Sequence, residues 1–184
     1  MKQFREILFL LFVFLTTACT TEEQQLTIFA GDSLIRNWDV ERYFPYLKTE
    51  NRGIDGCTLE QCFHQTESDE NTSVVLLIGT NNLKQDTKDI EPLVEEYIRL
   101  VDSFQAQRIY CISILPKNNF SNEVTEQMNK RLEEELQIKK NAVFVNVYND
   151  FYCEGQMNPE YTIDGLHLSA KGYELLTYQL SKWL

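Results

Sequence analysis

The chain has 184 residues, 17 basic and 28 acidic side chains, a formal net charge of −11, and 43% apolar residues. That charge repels phosphate backbones and anionic headgroups, which argues against nucleic-acid binding. Length and apolar content suit one globular domain with a sizeable core. With two histidines and no C-x-x-C spacing, a structural zinc site has little to be built from.

The first eighteen residues read as an export signal. Lys2 and Arg5 give a positive start, residues 7–15 are an unbroken apolar run, and Thr16, Thr17 and Ala18 form a small-residue exit. Nine apolar residues are too few to span a bilayer, which takes about 20 in a helix. Cys19 follows directly, an arrangement that resembles a bacterial lipoprotein signal, although Thr16 stands where the usual signal has Leu. The expected division is a signal peptide over 1–18, a lipidated Cys19 with a polar linker to residue 25, and a domain over 26–184. An ordinary secretory signal cut near Ala18 is the competing reading, and either way the domain is exported.

Residues 26–30 (LTIFA) predict a short strand that stops at Gly31-Asp32-Ser33. An aromatic-rich stretch follows, with Trp38, Tyr43, Phe44 and Tyr46. A weaker strand is expected over 47–51, then a capped helix over 58–65. Residues 73–78 (SVVLLI) are apolar on both faces, as a central parallel strand requires. A helix over about 89–105 follows from the spacing of Ile90, Leu93, Val94, Tyr97, Ile98, Val101 and Phe104, with Pro92 in its first turn. Strands are expected over 108–115 and 142–147, with an amphipathic helix over 121–138 between them. Ser169 caps a last helix expected to turn Tyr173, Leu176, Leu180 and Trp183 inward and run to the terminus. Strands alternating with helices imply a parallel sheet covered on both faces.

Binding sites in such sheets form outside the carboxyl ends of the strands. Ser33, Gly53 and Asn81 follow the first three predicted strands, and Asp164 and His167 follow the last, so they converge on one edge. The set fits acyl transfer: a serine needs a base within reach to take its proton, and a carboxylate beside the imidazole fixes its tautomer. Backbone N–H groups of Ser33 and Gly53 and the side-chain amide of Asn81 are candidate donors to a developing oxyanion.

Four motifs, GDSL at 31–34, NRGIDG at 51–56, GTNN at 79–82 and DGLHLSAKGY at 164–173, resemble in content and order the four blocks of the SGNH (GDSL-type) hydrolases. The likeness covers the whole domain and extends to small lysophospholipase-like and platelet-activating-factor-acetylhydrolase-like esterases. It implies a three-layer α/β/α flavodoxin-like sandwich with a five-stranded, mainly parallel sheet. It also implies a catalytic set of Ser33, Asp164 and His167 and an oxyanion hole of Ser33, Gly53 and Asn81, with no cofactor and no metal. Residue 82 is Asn where the family often has Asp, which puts local hydrogen bonding there in question.

Simpler roles compete at several positions. Ser33 after a strand serves elsewhere as a helix cap, and Asn81 as a turn former. Asp32 is expected to stabilise the turn, and His64 to be a solvated helix residue. Trp38 and Tyr43 either wall a substrate pocket or pack the loop. Cys57 and Cys62 can bridge only if Cys57 precedes the helix, since five helical residues rise about 7.5 Å; Cys111 reads as a buried small hydrophobe. The expected activity is hydrolysis of acetyl or short-chain acyl esters, with an acetylated carbohydrate preferred as substrate and a lysophospholipid next. A non-catalytic glycan-binding lipoprotein is the rival. The membrane is reached through the N-terminal lipid alone.

Overall fold

The computed structural model describes residues 24–120 and 122–184. The expected signal peptide and Cys19 lie outside the described residues.

Five strands form one parallel sheet: β1 (Leu26–Gly31), β2 (Lys48–Asn51), β3 (Thr72–Leu77), β4 (Arg108–Ile112) and β5 (Ala142–Val145), in the order β2-β1-β3-β4-β5. Each pairing is parallel, so each connection must cross a face of the sheet, and helices occupy those crossings. In chain order they are α1 (Ser33–Arg36), α2 (Val40–Tyr43), α3 (Leu59–Cys62), α4 (Glu91–Ser103), α5 (Asn122–Leu136), α6 (Tyr148–Phe151) and α7 (Ala170–Leu180). A two-residue hairpin, β6 (Tyr152–Cys153) with β7 (Gln156–Met157), precedes the last helix.

The alternation of strand side chains divides the core in two. Ile28, Val74, Leu76 and Ile109 face α3, α4 and α5, with Leu59, Tyr97, Leu100 and Leu132 packed on them. Phe29, Val75, Leu77 and Ile112 face the other layer, where Leu34, Ile35, Phe151, Leu176 and Leu180 close over them. Each large apolar side chain removed from water contributes about 1.5–3 kcal/mol. The two faces give the three-layer sandwich that the motifs imply. β2 is an edge strand, and its exposed Lys48 and Glu50 discourage pairing with another sheet.

The predicted strands sit within a residue or two of their expected places. β4 is the exception, ending at Ile112: Ser113 still donates its N–H to the Val145 carbonyl at 3.0 Å, and Ile114 and Leu115 start the connection toward α5. The capped helix at 58–65 is a single α-turn followed by a 3-10 turn (Phe63–Gln65), with Thr58 and Gln61 forming a reciprocal capping box. Trp183 does not turn inward. α7 ends at Leu180, so the helical spacing that pointed Trp183 at the core no longer applies, and its side chain is about half exposed.

Chain direction across the sheet reverses between β1, which is followed by β2 on one side, and β3, which lies on the other. The carboxyl ends of β1 and β3 therefore border a crevice, as is general at such a switch point.

Candidate active site

Ser33 is the first residue of α1, directly after β1. Asp32 caps that helix, its Oδ1 accepting the Leu34 N–H at 2.9 Å. The turn role expected for Asp32 is thus its observed one. Its side chain is buried, and burial pushes its carboxyl up from 3.8 to about 6.

The base comes from a loop between the hairpin and α7. Thr162 pairs with Leu168 across it, and the Thr162 hydroxyl donates to the His167 carbonyl at 2.7 Å while accepting the Gly165 N–H at 2.8 Å. Asp164 Oδ1 accepts the backbone N–H groups of Leu166 and His167 at 2.9 and 2.7 Å, and its Oδ2 accepts the imidazole Nδ1–H at 2.7 Å. These donors hold the Asp164 carboxyl down at about 2, the imidazole most of all. With Nδ1 carrying the proton, Nε2 presents a lone pair, and the Ser33 hydroxyl lies 3.1 Å from it. Residues 134 positions apart thus meet at hydrogen-bonding distance.

Around this pair lies an open cleft of about 780 Å³, lined by Ser33, Asn37, Asp55, Gly56, Asn81, Ile163, Leu166, His167, Leu168, Ala170 and Tyr173. Asn81, beyond β3, donates its amide to the Cys57 carbonyl at 2.9 Å and more weakly to Asp32 Oδ2 at 3.5 Å. Asn82 Oδ1 accepts the Leu59 N–H, the first of α3, at 3.0 Å. The amide keeps the acceptor that a carboxylate would supply there, so the change from Asp leaves this local bond in place.

Gly53 does not reach the cleft. Its N–H donates to Asn51 Oδ1 at 2.9 Å, and a Cβ on it would meet the Arg36 backbone nitrogen at 2.2 Å. Glycine is needed at 53 for packing under α1, not for approach of a ligand. Gly56 lines the cleft instead. It turns the chain at φ +68, closed by the Cys57 N–H to the Ile54 carbonyl at 3.2 Å, and its own N–H has no acceptor among the described residues. The sequence offers both glycines of NRGIDG, and the structure shows that the second turns at positive φ and lines the cleft.

Trp38 and Tyr43 are likewise absent from the cleft lining. Trp38 is 1% exposed, packs against Phe29, Phe44 and Tyr173, and donates its indole N–H to Thr177 Oγ1 at 3.1 Å. Tyr43 packs at the margin of the same core cluster. Their aromatic surface stabilises the layer beneath the site, and Tyr173 is the aromatic residue that lines the cleft. His64 is exposed, as expected. Cys57 does precede α3, and the Cys57 and Cys62 thiols touch as free, buried groups. Cys111 is buried and free. Among the described residues no cluster of metal-ligating side chains occurs.

The model of the GDSL-like lipase/acylhydrolase family matches residues 26–175, nearly all of the described chain. This protein belongs to that family. The GDSL hydrolase is 26% identical over 166 residues to the N-acylneuraminate cytidylyltransferase of Escherichia coli, covering 83% of this chain but only 38% of that protein. It is 26% identical over 170 residues to the platelet-activating factor acetylhydrolase IB subunit alpha1 of Rattus norvegicus, covering 85% and 73%. Its fold is shared with a platelet activating factor protein from Streptococcus pneumonia (TM-score 0.74, 25% identity, 90% and 86% covered). It is shared also with an acetylxylan esterase from Geobacillus stearothermophilus (TM-score 0.64, 14% identity, 86% and 93% covered). Membership makes the chain an acylhydrolase, an ester-cleaving enzyme.

Proposed function

We propose that the protein is an exported, lipid-anchored serine esterase that removes acetyl or other short acyl groups from hydroxyl-rich alcohols such as carbohydrates. Ser33 attacks the ester carbonyl as its proton passes to His167 Nε2, and Asp164 steadies the resulting imidazolium. The oxyanion takes donors from the N–H of Ser33, the N–H of Gly56 and the Asn81 amide, with Gly56 replacing Gly53 in the set first expected. His167 returns the proton to the departing alcohol, and water, activated by the same imidazole, releases the acid from Ser33. The observation that carries this reading is the continuous Ser33–His167–Asp164 chain of hydrogen bonds opening onto a cleft.

Asn37 and Asp55, the latter paired with Arg36, set exposed polar groups in the cleft lining, suited to alcohol hydroxyls. The names of two similar proteins, an acetylhydrolase and an acetylxylan esterase, favour acetyl as the acyl group. A lysophospholipid is the second reading, favoured by the apolar Ile163, 72% exposed, and Leu166 in the same lining. Export and anchoring rest on residues 2–19, where a basic start, an apolar run and a small-residue exit precede Cys19. The test compares wild type with Ser33→Ala on p-nitrophenyl acetate, then on acetylated sugars and lysophospholipids. Equal rates for wild type and variant on p-nitrophenyl acetate reject the esterase reading, and preference for the lysophospholipid selects the second.

A further inference from the structure

The loops that carry the candidate oxyanion amide and the candidate base belong to different parts of the chain, and among the described residues no hydrogen bond runs directly from Thr80–Leu83 to Asp164–His167. Residues 114–118, beyond β4, lie between them. This segment is pinned from α5 by two buried asparagines. Asn129 accepts the Ile114 N–H and donates to the Ile114 carbonyl, both at 2.8 Å. Asn122 does the same for Lys117, at 3.0 and 2.9 Å.

From that fixed base the segment reaches both ways. Lys117 Nζ donates to the carbonyls of Thr80 and Leu83, at 3.1 and 3.0 Å, the two residues that bracket Asn81 and Asn82. Its remaining face lies 3.9 Å from the centre of the Phe120 ring. No carboxylate pairs with this half-buried ammonium among the described residues, and burial lowers its pKa. On the other side the Asn118 N–H donates to the Gly165 carbonyl at 2.8 Å, and Asn118 Oδ1 accepts the Met157 N–H at 3.0 Å. Gly165 sits so close that a Cβ would meet the Asn118 side chain at 2.6 Å.

We propose that Lys117 is a positioning residue for ester hydrolysis: its ammonium holds the Thr80–Leu83 loop, and with it the Asn81 amide, in register with the Asp164–His167 loop held by Asn118. Lys117 lines no part of the cleft and touches no substrate. It acts through Asn81, whose amide must meet an oxyanion that exists only transiently. A buried cation without a carboxylate partner costs desolvation, and two carbonyls and a ring face are the compensation present. The inference rests on the esterase reading given above.

The experiment is a double-mutant cycle on p-nitrophenyl acetate hydrolysis by the full chain, with thermal unfolding followed in parallel. Lys117→Met keeps the stem and removes the charge, and it is expected to lower kcat about tenfold with KM changed less than about threefold. Asn81→Ala lowers kcat by about 10²–10³. If Lys117 works through Asn81, adding Lys117→Met to Asn81→Ala slows the enzyme by no more than about twofold further, and Lys117→Arg restores most of the turnover lost in Lys117→Met. Losses that multiply in the double variant, or a Lys117→Met enzyme with unchanged kcat, overturn the proposal. Should Lys117→Met fail to fold, Lys117→Gln takes its place in the same cycle and is judged by the same two outcomes. A wild type inert toward the ester refutes the esterase reading; an active wild type with multiplying losses refutes only the role of Lys117.

Discussion

At the level of single residues, the roles separate by what each group does when charge moves. Asp164 is held down at about 2 and stays ionised throughout the working range, so it remains able to orient the imidazole and to steady its cation. Asp32 supplies a pH signature, in stability. Its folded-state value of about 6 lies above the unfolded 3.8, so between them the folded chain holds a proton that the unfolded chain has released. Stability therefore falls as pH rises through that window, by about 3 kcal/mol once Asp32 is ionised. Asp32→Asn keeps an acceptor for the Leu34 N–H and removes that slope. Urea unfolding from pH 4 to 7 checks it.

Elements place these groups by local rules. α7 starts where Ser169 Oγ accepts the Gly172 N–H at 3.2 Å, and Ser169 donates to the Glu160 carbonyl at 3.0 Å. Ser169→Ala should cost about 1 kcal/mol of stability, read as a lowered urea midpoint. kcat should be little changed, because the Asp164–His167 turn holds itself by its own hydrogen bonds. The two glycines after β2 should part company. A Cβ at 53 runs into the backbone of α1, whereas a Cβ at 56 meets nothing within 4 Å. Gly53→Ala is expected to destabilise the fold by several kcal/mol, since backbone does not yield as a side chain would. Gly56→Ala carries only the strain of positive φ, about 1–2 kcal/mol. Its stronger effect should fall on kcat, because the strained turn carries the N–H proposed as an oxyanion donor. Thermal unfolding beside steady-state kinetics separates the two; equal damage to stability from both would contradict this division.

At the scale of the whole molecule, the sheet order puts the crevice between β1 and β3 at the rim where every connecting loop of the site emerges. The net charge of −11 opposes adsorption to anionic surfaces, so the proposed membrane retention rests on the lipid proposed on Cys19. Cys19→Ala should shift the protein from the membrane fraction to the soluble fraction while leaving hydrolysis of p-nitrophenyl acetate intact. Unchanged fractionation would remove the anchor from the account.

The sequence by itself determined the class of fold, because apolar runs and helical spacings are set by local burial. It also named the residues of the proposed chemistry, because Ser33, Asn81, Asp164 and His167 each stand in a recognisable block. Asp164 and His167 are three residues apart, and the bond between them needs nothing but that turn. Tertiary structure decided which glycine lines the cleft, because Gly53 is covered by α1 whereas Gly56 sits in an open turn at positive φ. It decided that Trp38 and Tyr43 support the layer below the site, since an aromatic residue near a nucleophile reads the same in sequence whether it faces in or out. And it brought Lys117 from beyond β4 to two carbonyls beside Asn81, a contact between neighbouring strand ends that no local pattern encodes.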